Sequence, residues 1–88
     1  MQNDKPLKWA YIPAAKAFEQ AVAIDPNYAK AYVHLGTIYE TLGRYSEAEN
    51  SLKIAARLFR QQGMTEFAEK IEESLKSNRE SDWAYETL

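Results

Sequence analysis

The chain has 88 residues, 11 basic and 13 acidic, and a net charge of -2, which suits one small domain burying only roughly 60–65% of its unfolded surface. It has no cysteine, which excludes disulfides and thiolate metal sites and suits a cytoplasmic setting. Mild acidity without a basic patch argues against nucleic acid, and no apolar run approaches the ~20 residues that span a bilayer or forms a signal peptide near the N-terminus.

Apolar spacing is helical throughout, and no segment alternates as a strand does. The first helix is expected from Pro13 to Ile24, with proline tolerated at its first position. Ala14, Phe18, Ala21 and Ile24 form its apolar face, with Ala17 one turn from Ala14. Asp25-Pro26-Asn27 ends it, because proline disfavours helical geometry in the residue before it. The second helix is expected from Tyr28 to Leu42. Tyr32, Leu35, Gly36 and Tyr39 share one of its faces, and Gly43 stops it in a left-handed conformation.

Ser46 and Glu49 fit a capping box at the start of a third helix, which carries Leu52, Ala55, Ala56 and Phe59 to about Gln62. Gly63 is the next stop. Thr65 is the expected N-cap of a fourth helix, whose stripe is Phe67 or Ala68, then Ile71 and Leu75, with Ser77-Asn78 closing it. The organisation expected is an N-terminal segment over 1–12, a helical domain over 13–78 and a tail over 79–88 that carries Trp83 and Tyr85.

Five residue pairs recur 34 positions apart: Tyr11/Tyr45, Ala14/Ala48, Phe18/Leu52, Ala21/Ala55 and Ile24/Leu58. A match sustained at one offset marks a repeat protein. Residues 29–58 resemble one complete tetratricopeptide repeat, on Tyr32, Leu35-Gly36, Tyr39, Gly43, Tyr45, Ala48, Leu52 and Ala55. Residues 11–28 resemble the second helix of a preceding repeat, whose first helix has no counterpart in the chain. Arg60 stands where the family has proline. At the same offset Glu66, Glu69, Lys70 and Glu73 replace the next first-helix signature. At spacing 20, Leu52, Ala55, Ala56, Phe59, Gly63 and Ala68 echo Tyr32, Leu35, Gly36, Tyr39, Gly43 and Ala48. The third helix is therefore expected to serve two hairpins, and the fourth to be a charged cap. The resemblance implies an all-α fold, a short α-solenoid of about four helices.

Residues that carry chemistry are sparse. His34 has Thr37 and Ile38 three and four residues on, which excludes a helical metal pair, and Gly36, Gly43 and Gly63 lie too far apart to cradle phosphate. Neighbouring carboxylates on a helix point apart, so Glu47, Glu49, Glu72 and Glu73 read as solvated. Phe18, Tyr32, Tyr39, Tyr45 and Phe59 read as core. No enzyme, metal or cofactor is expected.

A second stripe of the second helix comprises Lys30, Val33, His34, Thr37, Glu40 and Thr41. By resemblance these positions line the concave surface on which the family receives peptides or helices of partner proteins. His34 in place of an asparagine, and a single intact first helix, argue against a clamp for a C-terminal carboxylate. The first helix lacks a partner helix, so Phe18 and Ile24 are expected on an open apolar edge. That edge would be covered by a second copy as a homodimer, by the tail with Trp83 and Tyr85, or by the segment with Trp9. The expected function is a non-catalytic protein–protein interaction module. The alternative is a structural or oligomerisation fragment of a larger repeat protein.

Overall fold

A computed structural model describes the backbone over residues 10–87 and the side chains over 10–77. It contains four helices, α1 Tyr11–Ile24, α2 Ala29–Thr41, α3 Tyr45–Gln61 and α4 Thr65–Thr87, and no strand among the described residues. Each helix packs against the next in the chain, α1 on α2, α2 on α3 and α3 on α4. The fold is the all-α repeat solenoid expected.

Helix boundaries follow local chemistry. α1 starts at Tyr11, two residues before Pro13. Proline still lies within the first turn, where backbone N–H groups have no intrahelical acceptor. At the other end Asp25 leaves helical geometry. Its side chain accepts a bond from Asn27 N at 3.1 Å, and its carbonyl accepts one from Tyr28 N at 3.0 Å. The chain thus turns tightly around Pro26 into α2.

The next two turns are the same motif. Gly43 and Gly63 have φ of 80° and 83°, the left-handed region where a side chain is strained. Gly43 N donates to Glu40 O at 3.0 Å and Arg44 N to Tyr39 O at 2.8 Å. Gly63 N donates to Arg60 O at 3.1 Å and Met64 N to Phe59 O at 2.8 Å. Both are Schellman turns, which satisfy the last carbonyls of a helix. They lie 20 residues apart, so the 20-residue echo is one hairpin built twice around α3.

Three boundary expectations are corrected. The Schellman turn delivers Arg44, not Ser46, to the N-cap of α3, and no side-chain cap forms there. Instead Arg44 Nε and Nη2 donate to the Glu47 carboxylate at 2.6 and 2.7 Å. Thr65 is the first helical residue of α4, not its cap, because Ala68 N already bonds to Met64 O at 3.2 Å. The helix continues past Ser77-Asn78 to Thr87, since neither residue breaks its backbone hydrogen bonding.

The core has two parts. Ala15 of α1, Leu35, Ile38 and Tyr39 of α2, and Ala48 of α3 form one, flanked by Phe18 and Val22. Ala29 of α2, Ala55, Ala56, Leu58 and Phe59 of α3, and Ala68 of α4 form the other, flanked by Tyr32, Val33 and Ile71. Small residues predominate because the helices approach closely. Of the aromatics read as core, Tyr39 and Phe59 are buried and Phe18 and Tyr32 half-buried. Tyr45, the first residue of α3, is 69% exposed. The α4 stripe runs through Ala68, with Phe67 stacked outside it on Phe59 at 5.3 Å between ring centroids.

Arg60, in the place of the family's proline, donates to Glu72 of α4 at 2.6 Å. Glu72, read as simply solvated, therefore fastens α3 to α4. At the same end Gln62 donates to Asn27 O at 3.0 Å, tying the α1–α2 turn to the end of α3.

The tightest constraint is at Gly36. A Cβ there would lie 2.7 Å from both Cγ and Cδ2 of Leu52, well inside van der Waals contact. Alanine in a helix is worth about 1 kcal/mol over glycine, whereas overpacking costs ~1–3 kcal/mol. Gly36→Ala is expected to lower the urea midpoint, and adding Leu52→Ala to relieve that particular penalty in a double-mutant cycle. A Gly36→Ala variant more stable than the parent would contradict the close crossing.

Candidate protein interface

The stripe of α2 expected on the concave surface emerges in part. Lys30, His34, Thr37 and Glu40 are exposed, and Thr41 is half-buried. Val33 is half-buried against the cluster formed by α3 and α4, so its side chain serves the core as well. Thr37 Oγ1 donates to Val33 O at 3.3 Å and Thr41 Oγ1 to Thr37 O at 3.1 Å. Both hydroxyl protons are turned back on the helix. What remains is a surface with one cation, one imidazole, one carboxylate and two threonines.

The edge residues part company. The Phe18 ring stacks on His34 of α2, centroids 5.0 Å apart and planes at 22°. Phe18 therefore bridges the edge and the α2 stripe. Ile24 is 85% exposed. Covering of the edge by Trp9, or by Trp83 and Tyr85, concerns side chains outside the described residues.

Sequence reasoning missed the polar link behind this surface. Tyr39, buried in the core, donates its phenol proton to Glu19 of α1. The Arg44 guanidinium lies 4.6 Å from the centroid of the same ring, a cation–π contact. Glu19, Tyr39, Arg44 and Glu47 thus connect α1, α2 and the start of α3. The available signal was Glu19 itself, one turn from both Ala15 and Ala23 and the one acidic residue of α1. Twenty residues separate Glu19 from Tyr39, so no local pattern pairs them.

The phenol's environment sets its titration. Burial first, then donation to the Glu19 carboxylate, push Tyr39 up to about 12 from an ordinary 10.0. A group whose folded pKa is raised contributes stability below its unfolded pKa, and loses it as pH rises through the folded value. Stability of the native chain should therefore fall between about pH 10 and 12. Tyr39→Phe should remove that part of the fall, read as the difference between the two melting-temperature profiles. Identical alkaline profiles for the two proteins would contradict the buried donor.

None of the helices, over the described residues, is long and apolar enough to cross a membrane. Comparison with known families matches the tetratricopeptide repeat over residues 11–63. Neither the curated proteins nor the solved structures give a match. The matched span runs from the first residue of α1 to the Gly63 turn after α3, which covers the complete repeat, the preceding half and both glycine turns. Its repeats are in general non-catalytic and serve protein–protein interaction. The chain belongs to the tetratricopeptide-repeat family.

Proposed function

We propose that the chain is a non-catalytic protein-binding module that receives a peptide or helix of a partner along Lys30, His34, Thr37, Glu40 and Thr41, with Val33 at the base of the surface. One observation carries this reading. Six of the 13 residues of α2 are buried against its neighbouring helices, while Lys30, His34, Thr37 and Glu40 of this stripe are exposed. A surface held on a rigid, packed helix loses little freedom on binding, which favours affinity. Lys30 and Glu40 lie ten positions apart on it, about 15 Å along a helix axis. They suit a ligand with charges of opposite sign at matching separation, while the two threonines admit apolar or backbone contact between them.

Peptides selected from a random library on the immobilised chain test the reading. Their amide shift changes should centre on residues 30–41, and Thr37→Arg should weaken binding about tenfold, equivalent to ~1.4 kcal/mol. Selected peptides that shift only residues outside α2 would sink it.

The alternative is a structural role, in which the chain joins an assembly through its open edge at Phe18 and Ile24. The 85% exposure of Ile24 favours that reading, because a large aliphatic side chain in water at a helix end gains free energy when covered. In its simplest form the covering molecule is a second copy. Light scattering should then show a dimer that dissociates on dilution and is lost in Ile24→Glu. A strict monomer from micromolar to millimolar concentration removes self-association.

A further inference from the structure

The Phe18–His34 stack gives one position of the α2 surface a fixed orientation. Phe18 packs against the core cluster that joins α1, α2 and α3, so its ring is backed by the core. It covers one face of the imidazole, with centroids 5.0 Å apart and planes at 22°. His34 is exposed all the same, so that exposure lies on its other face and its edge. A side chain already pinned loses little rotamer freedom when a ligand meets it.

Its neighbours on α2 decide what such a ring can receive. Lys30, His34, Thr37 and Thr41 follow one another at i, i+4, i+7 and i+11, a single stripe along the helix. Lys30 is exposed and joins no ion pair among the described residues. One turn separates it from His34, about 6 Å of helix axis. On the other side the Thr37 hydroxyl gives its proton to Val33 O at 3.3 Å, so it offers none to a ligand. The stripe thus sets a flat ring face between an uncompensated cation and a hydroxyl already satisfied.

We infer that His34 is the specificity-determining residue of this surface. Its free face takes an aromatic side chain of the partner peptide, while Lys30 takes a carboxylate two residues away in that peptide. The inference rests on the protein-binding reading above and names the ligand that reading leaves open. Two residues of extended chain span about 6.5 Å, which matches the turn between Lys30 and His34. Side chains two apart in an extended chain lie on the same side, so both groups can face α2. Aromatic rings favour offset stacking on another ring. A guanidinium is also planar and stacks on rings, but Lys30 repels a second cation there. Phe18 is a positioning residue, since it touches His34 and not the ligand.

The test uses the full chain and the peptides selected on it from a random library. Those that shift amides of residues 30–41 should share an aromatic residue and an aspartate or glutamate two positions apart. Replacing that aromatic residue by leucine should weaken binding about threefold to tenfold, the range of an aromatic pair. His34→Ala should weaken the parent peptide by the same factor and the leucine peptide hardly at all, whereas His34→Phe keeps the affinity. A merely structural role for His34 would weaken both peptides alike. Lys30→Ala should likewise cancel the effect of replacing the peptide's acid by glutamine. Phe18→Leu, checked for a native amide spectrum, should cost the aromatic peptide more than the leucine peptide.

Peptides that bind residues 30–41 without an aromatic residue, or with an affinity indifferent to His34, would overturn the inference and leave the concave-surface reading standing. Peptides that shift only residues outside α2, or a library that yields no binder, count against both. Contact in the free chain between the His34 ring and a tryptophan of the same chain would also overturn it, as would His34 shifts on concentrating the chain alone. In those cases the chain itself or a second copy occupies the ring face.

Discussion

The closeness of α2 and α3 at Gly36 and Leu52 sets the rest of the geometry. A leucine side chain occupies the space where any other residue would place its Cβ. Two helices can come that near only where one lacks a side chain, and the neighbouring positions must then be small as well. Ala48 and Ala55 meet this requirement on α3, and Ala29 and Ala31 on α2, and all four are buried. The core is consequently rich in alanine, and large residues such as Tyr39 and Phe59 enter it singly. With so little bulk to bury, the chain depends on the fit between helices rather than on core volume.

α3 then serves two neighbours. One flank closes on α2 and the other on α4, and the turns at its two ends are the same Schellman motif. This explains why two periods coexist in one short sequence. The 34-residue period relates α1 to α3, helices of the same kind. The 20-residue period relates successive hairpins that share α3. Substituting arginine for the family's proline at position 60 belongs to the same arrangement, since it lets α3 run on to Gln61 and pair with Glu72. That exposed pair adds little stability by itself, but it holds the cap in register.

The two ends of the stack are unlike. Glu66, Glu69, Lys70 and Glu73 of α4 are all exposed, and a charged helix face resists further stacking. On the other side α1 exposes Ala17, Ala23 and Ile24. The link from Tyr39 to Glu19 keeps α1 in place while its outer face stays open. Phe18, stacked on His34, joins that edge to the α2 stripe.

Much of this was legible in the residues. Helical periodicity, the glycine stops at 43 and 63, the break at Pro26 and the repeat itself follow from local conformational preference and from spacing. These do not depend on how the helices cross. Burial did depend on it. Ala15 lies in the core although it sits one place off the apolar stripe, and Tyr45 lies outside although it matches the family pattern. Ser46 and Glu49 fit a capping box, yet the preceding Schellman turn makes Arg44, two residues earlier, the N-cap of α3. The pairings of Glu19 with Tyr39, Arg60 with Glu72 and Gln62 with Asn27 join residues 20, 12 and 35 positions apart. The sequence by itself determined the helices, their turns and their family, since these rest on interactions within a few residues. Only the tertiary structure decided which faces were spent on packing and which were left open, because that is settled by contacts between helices distant in the chain.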